Sequence, residues 1–178
     1  MFARSHVMPA LGVVLLAALV TAALVTAGGG VGAAEPGALT AEDRAEIRDL
    51  AGRYSHAIDL GDSALWAEVF TEDGVMEMAA QGYNITGEQL RGLGADREPT
   101  AGGGRHIPTT FVIDGAGDDA TMRSYVTVVS TADPARIVFQ GRYEDVLRRV
   151  DGRWRIAHRK ILTDWIDSGV AEAVADAP

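Results

Sequence analysis

The hydrophobic pattern of this 178-residue chain changes its period near His106. Before that point, apolar residues recur every three to four positions, as they do along one face of a helix. From His106 onward they alternate with polar residues and include many β-branched side chains, which is typical of strands. Helices followed by consecutive strands predict an α+β domain in which the helices cover one face of a curved, mostly antiparallel sheet.

The first helix is predicted to begin after Thr40, which can cap its amino end, and to run to about Leu60 before stopping at Gly61. Asp62 can cap a second, shorter helix, so that the two helices pack as a pair. The other predicted elements are a turn over 71–74, a strand over 75–78, a small helix over 86–93, and strands over 106–114, 120–131, 136–150 and 153–166.

The two ends of the chain and one internal segment carry different signals. Residues 1–34 contain a single charged side chain, Arg4, and end in small residues, which predicts an export signal and a protein outside the cytoplasm. The alternative is an uncleaved membrane anchor over residues 9–27. Residues 92–105 hold five glycines and a proline and predict a mobile loop, and residues 168–178 predict a frayed tail after a domain spanning 35–167.

Composition removes several classes of function. The chain has no cysteine, which excludes disulfides, thiolate metal sites and cysteine nucleophiles. Its formal charge of −9 argues against nucleic acid as a partner, because such binding depends on clustered Lys and Arg. Nucleotide-binding and nucleophile-elbow motifs are also missing from the sequence. The chemistry must therefore use oxygen and imidazole groups.

Three histidines lie beyond the predicted leader, and no two of them have the spacing that one helix face needs for a metal, so no metal site is expected. His56 is predicted to face solvent, and His158 to be a packing residue in a strand. His106 follows the glycine-rich loop at the start of a strand, where rigid backbone can hold it while the loop admits a ligand. The alternative is that it merely begins the strand.

Three further side chains are candidates. Asp59 lies in the last helical turn, where the helix dipole disfavours a carboxylate by roughly 0.3–1 kcal/mol. A histidine across a pocket could compensate it, or Asp59 could cap the following turn. Tyr54 lies in the apolar stripe, so its hydroxyl needs a polar partner. Arg159 occupies a strand, and its plainer interpretation is an ion pair with Asp145 or Glu144.

These residues belong to a longer pattern that resembles a known family, the SnoaL-like branch of the nuclear transport factor 2-like superfamily. The resemblance spans about residues 39–167. It rests on Arg53-Tyr54-x4-Asp59-x2-Asp62, Trp66-x3-Phe70-x2-Asp73-Gly74-Val75, His106, Gly141-Arg142-Tyr143-x3-Leu147 and Trp154-Arg155-Ile156-x2-Arg159.

The resemblance implies a cone-shaped α+β domain, a homodimer or homotrimer, with a pocket between the helices and the concave sheet. Dehydratases and dehydrochlorinases of the family pair a helix aspartate with a strand histidine as general base. By this resemblance, Asp59 takes the aspartate role and His106 the histidine role. Tyr54 matches the tyrosine of the bile acid dehydratase, and Arg159 matches a strand arginine.

Two functions from different classes remain. The first is a lyase or isomerase of dehydratase type, needing neither metal nor cofactor, that acts on a small hydrophobic cyclic compound through a catalytic set of Tyr54, Asp59, His106 and Arg159. The second is a binding protein whose pocket holds an apolar ligand unchanged. A third possibility is that the open sheet face serves only as an interface between copies of the chain.

Overall fold

The computed structural model describes residues 37–95 and 103–175. The predicted leader or anchor, the centre of the glycine-rich loop and the last three residues lie outside this part. The elements, in chain order, are α1 (Ala41–Leu60), α2 (Ser63–Val69), β1 (Phe70–Met78), β2 (Tyr83–Thr86), α3 (Gly87–Ala95), β3 (Gly104–Ala116), β4 (Asp119–Ser130), β5 (Arg136–Val150), β6 (Arg153–Ile166) and α4 (Ser168–Ala175).

The strands form one curved sheet in the order β2-β1-β6-β5-β4-β3. Neighbouring strands are antiparallel except for β1 and β6, which run parallel. This arrangement confirms the predicted α+β class. Because β3 lies at one edge of the sheet, one side of its ladder is left without a strand partner over residues 104–113. The first helix packs close to this edge.

Local sequence signals set the bounds of α1. The Thr40 hydroxyl accepts a hydrogen bond from the Asp43 backbone N–H, and the Asp43 carboxylate accepts one from Thr40, which completes a capping box. Gly61 ends the helix with φ at 68°, a left-handed conformation that glycine adopts without steric cost. Between these ends, Ile47 and Leu50 are fully buried against the sheet. No helix in residues 37–95 or 103–175 is long and apolar enough to cross a bilayer.

Three elements differ from the sequence prediction. β1 begins at Phe70, so the predicted turn over 71–74 lies inside a strand, where the pairing with β6 is irregular between Phe70 and Val75. β2 was not predicted, because four residues are too few for an alternating pattern to emerge. Residues 168–175 form α4 instead of a frayed tail, because the Asp167 carboxylate accepts a hydrogen bond from the Gly169 N–H at its start.

The amino end of α1 is tied to the β5–β6 hairpin through Asp43. Its carboxylate pairs with Arg149 and accepts a hydrogen bond from the indole N–H of the buried Trp154 at 3.3 Å. The Arg149 guanidinium also stacks on the Trp154 ring, 4.6 Å from its centroid. The Arg149 hydrogen bond, followed by those of Thr40, holds the pKa of Asp43 well below its ordinary value of 3.8.

This lowered pKa predicts a pH-dependent effect of Asp43→Asn. A carboxyl whose folded-state pKa is depressed stabilises the fold above its unfolded pKa, and this stabilisation is lost as the pH falls. The variant should therefore be clearly less stable than wild type at pH 7, and the difference should shrink below about pH 4. Urea unfolding at several pH values measures it. Asp49→Asn, which changes an i,i+4 pair between an exposed carboxylate and the partly buried Arg53, should have a much smaller effect at any pH.

Candidate active site

The predicted aspartate and histidine meet where the last turn of α1 approaches the start of β3. The Asp59 Oδ2 atom accepts a hydrogen bond from the His106 backbone N–H at 2.9 Å, and its Oδ1 lies 2.5 Å from the His106 ring Nδ1. Two donors from β3 thus compensate a carboxylate at the disfavoured end of the helix dipole. The alternative that Asp59 caps the following turn is not what the structure shows.

This pairing assigns the two nitrogens of the His106 ring. An ionised carboxylate only accepts hydrogen bonds, so the contact with Asp59 places the ring proton on Nδ1. The neutral imidazole then carries its lone pair on Nε2. The side chain of His106 is 19% exposed and that of Asp59 is 7% exposed. The histidine therefore remains accessible while its partner is shielded, as a base that takes a proton from a bound molecule requires.

The pair borders a cavity of about 490 Å³ between α1 and β3. Its volume suits a small organic molecule. The β3 wall is largely apolar, with Ile107, Pro108 and Phe111, whereas the α1 wall is polar. The lining residues are Arg48, Gly52, Ser55, His56, Asp59, Leu60, Arg105, His106, Ile107, Pro108 and Phe111.

A stripe along α1 marks the cavity in the sequence, and sequence reasoning missed it. Arg48, Gly52, Ser55 and Asp59 follow one another at spacings of four, three and four residues, which places them on one helix face. Polar residues and a glycine on a face directed at a sheet are the signal of a cavity there. His56 is exposed as predicted, yet it also lines the cavity.

Tyr54 lies behind His106 and does not line the cavity. Its ring is buried and meets the His106 ring edge-on, with centroids 6.2 Å apart. Its hydroxyl lies 3.9 Å from the sulfur of Met76, a weak acceptor. The structure thus brings Tyr54 against the histidine, in the aromatic core where it also meets Trp66 and Phe70.

Arg159 does not line the cavity and lies against the Tyr54 ring instead. Its guanidinium is fully buried, donates two hydrogen bonds of 2.8 Å to Asp145, and lies over the rings of both Tyr54 and Tyr143, 4.0 and 4.1 Å from their centroids. Burial disfavours the charged guanidinium, but the Asp145 carboxylate outweighs it and keeps the pKa of Arg159 above its ordinary value. Burial also raises the pKa of Tyr143. Of the two partners considered for Arg159, the structure selects Asp145.

Gly52 allows the cavity to be filled without disturbing the fold. It lies inside α1, has no positive φ, and a Cβ added to it would meet no atom within 4 Å. Gly52→Ala should therefore stabilise the protein by about 1 kcal/mol through helix propensity. Gly52→Phe should place a ring in the cavity and weaken ligand binding by more than about tenfold, or about 1.4 kcal/mol. Thermal unfolding and calorimetric titration measure the two effects.

The matched control is Gly92, which lies in α3 and likewise has open space where a Cβ would stand. Gly92→Phe should leave ligand affinity unchanged, because that residue does not line the cavity. Equal ligand affinity in Gly52→Phe and wild type would contradict the assignment of this cavity as the binding site.

Comparison with known proteins shows which family shares this architecture. A family profile described as a SnoaL-like domain matches residues 39–160. A protein of unknown function with a cystatin-like fold from Nostoc punctiforme is 33% identical, with a TM-score of 0.62, over 71% of this chain and 94% of its own. A function-unknown protein from Mycobacterium tuberculosis is also 33% identical, with a TM-score of 0.66, over 75% of this chain and 85% of its own.

A candidate scytalone dehydratase from Novosphingobium aromaticivorans shares the fold, with a TM-score of 0.57. It is 24% identical, and the match covers 71% of this chain and 87% of that one. No curated protein sequence matches the chain significantly. The family match covers α1 and the strand that carries His106, and so both halves of the candidate site.

Proposed function

The chain belongs to the SnoaL-like domain family, and from that premise we propose that it is a cofactor-independent lyase or isomerase of dehydratase type. Its substrate would be a small hydrophobic cyclic compound bound in the cavity between α1 and β3. One observation carries the proposal: the Asp59 carboxylate binds both the backbone and the ring of His106 at the cavity wall.

His106 acts as the general base. Its Nε2 takes a proton from a carbon of the bound compound, and the electron pair of that C–H bond forms the new double bond or an enolate. The imidazolium that results lies against Asp59, which stabilises its charge and keeps the ring in place. In a dehydration, His106 then gives the proton to the departing hydroxyl oxygen, and water leaves. The elimination of water therefore needs no further reactant.

Tyr54 and Arg159 support this base from behind. The Tyr54 ring meets the His106 ring edge-on, and the Arg159 guanidinium lies over the Tyr54 ring. Neither side chain is a cavity-lining residue. We therefore propose that they hold the histidine wall of the cavity, and that proton transfer belongs to His106 with Asp59.

The proposal is tested by proton exchange at carbon. β-Tetralone, a cyclic ketone with acidic carbon-bound protons, is incubated with the full chain in D2O and followed by proton NMR. Exchange that is faster than in buffer with free imidazole is the expected result, since a positioned base exceeds a free one. Exchange no faster than with free imidazole, in a protein that binds the ketone, would contradict base catalysis.

A binding protein for an apolar ligand is the second candidate. It is favoured by the apolar β3 wall of Ile107, Pro108 and Phe111, which holds a ring whether or not a base is present. The two candidates differ in what the histidine does: loss of its imidazole removes proton exchange in an enzyme and leaves binding in both. Filling the cavity at Gly52 removes binding in either case, and with it the proton exchange of an enzyme.

A further inference from the structure

The cavity carries an excess of positive side chains although the chain as a whole is acidic. Arg48 on α1 and Arg105 on β3 both line it, and Asp59 is the one carboxylate among the described lining residues. That carboxylate is already bound by His106. Among the residues that the structure describes, an incoming molecule therefore meets two guanidinium groups and no free acid, in a protein whose formal charge is −9.

Neither arginine has an acidic partner in the part of the chain that the structure describes. Arg105 donates one hydrogen bond of 2.8 Å, to the carbonyl oxygen of the adjacent Gly104. Both Arg48 and Arg105 are exposed residues. Other arginines around the sheet are paired, among them Arg142 with Asp164 and Arg149 with Asp43. Within residues 37–95 and 103–175, no acidic side chain therefore competes with a ligand for the guanidinium donors at the cavity.

We propose that the natural ligand of this cavity is an anion, a cyclic apolar compound that carries a carboxylate held by Arg48 and Arg105. This rests on the proposed function only in using the same cavity. The planar guanidinium matches a carboxylate with two parallel hydrogen bonds. The ring system would lie on the apolar β3 wall, at Pro108 and Phe111. A cationic ligand would instead be repelled by both arginines.

The charges also favour the chemistry proposed for His106. Removal of a proton from carbon leaves negative charge on a ligand that is already an anion, and positive groups fixed near it offset that charge. The net negative charge of the rest of the protein repels an anion at long range. The two arginines offset this repulsion at the cavity itself and favour anionic over neutral ligands there. They would be specificity-determining residues, and His106 would remain the base.

The test compares two probes of equal shape, naphthalene-2-carboxylate and naphthalene-2-carboxamide, by calorimetric titration of the full chain. The carboxylate should bind about tenfold or more tightly than the amide, because a charge-assisted hydrogen bond is the stronger kind. The double variant Arg48→Ala/Arg105→Ala should bind both probes alike. Arg48→Lys/Arg105→Lys should keep part of the preference, since it keeps the charge but not the planar fork.

The matched control is Arg123→Ala/Arg153→Ala, which removes two exposed arginines that form no ion pair within residues 37–95 and 103–175 and lie outside the cavity. It causes the same change in net charge and should retain the full preference for the carboxylate. Equal binding of both probes to wild type, no carboxylate binding at millimolar concentration, or a preference that survives Arg48→Ala/Arg105→Ala would each overturn the proposal. Binding is measured without turnover, so a catalytically inert protein can still show the preference, and an active base with no preference overturns this inference alone.

Discussion

His106→Ala is expected to slow proton exchange from bound β-tetralone by about 10²- to 10⁴-fold, the usual contribution of a positioned general base. The His106 imidazole lines the cavity and its Nε2 is not bound by Asp59, and alanine removes the nitrogen that is assigned to accept the proton. Affinity for the ketone should change little, because the apolar wall of β3 remains. Exchange rates come from proton NMR in D2O, and affinity from calorimetric titration.

His56→Ala is the matched control, because His56 also lines the cavity but its side chain forms no hydrogen bond or ion pair with Asp59. It should keep most of the exchange activity. Asp59→Asn should lower the rate without removing it, and should change which His106 nitrogen carries the proton, as nitrogen NMR shifts report. Loss of exchange in His56→Ala together with normal exchange in His106→Ala would reverse the assignment of the base.

The fold could be predicted from the sequence because its signals are local. The cap at Thr40, the stop at Gly61 and the period change near His106 each depend on a few neighbouring residues. Features that depend on a partner strand could not be predicted in this way. Between β5 and β6, Val146 pairs with His158 and Leu147 pairs with Ile156. Ala157 of β6 therefore has no partner on β5 and forms a bulge.

That bulge explains why periodicity misjudges the face of a strand. It brings Ile156 and Arg159 to the same buried face, although residues three apart in a regular strand point to opposite faces. In β5 the alternation is regular, and Asp145 shares the buried face with Tyr143 and Leu147. The regular alternation of buried and exposed residues in β5 therefore favours Asp145 over Glu144 as the partner of Arg159. The sequence analysis left this choice open.

The candidate site was predictable in its central pair and not in its surroundings. Asp59 and His106 were candidates from their positions on a helix end and a strand start, the family resemblance gave them their paired roles, and they lie within hydrogen-bond distance across 47 positions of sequence. The cavity depends on which helix face meets the edge strand, and that is a property of packing. The stripe that includes Arg48, Gly52 and Ser55 indicates the helix face that borders the cavity. It can be interpreted in this way only when α1 is known to face β3.

Asp145→Ala is expected to destabilise the fold by about 3–5 kcal/mol, because it leaves the Arg159 guanidinium buried without its counterion. Such a loss is a large part of the roughly 5–15 kcal/mol that holds a domain of this size together. Arg159 already has one nitrogen, Nη1, with no hydrogen-bond partner among the described residues. The Tyr54 and Tyr143 rings that pack on it cannot replace the carboxylate, since they attract the cation only weakly. Urea unfolding followed by tryptophan fluorescence measures the change.

Two variants separate loss of the charge pair from loss of packing. Asp145→Leu/Arg159→Met removes both charges and keeps apolar volume, so it should be more stable than Asp145→Ala, as replacement of a buried ion pair often is. It remains informative even if Asp145→Ala fails to fold. Glu144→Ala, on the exposed face of β5 one residue away, should change stability by no more than about 0.5 kcal/mol. A double variant as unstable as Asp145→Ala would show that this pair does more than neutralise charge: the guanidinium packed on the two tyrosine rings would itself be needed to hold the aromatic residues against His106.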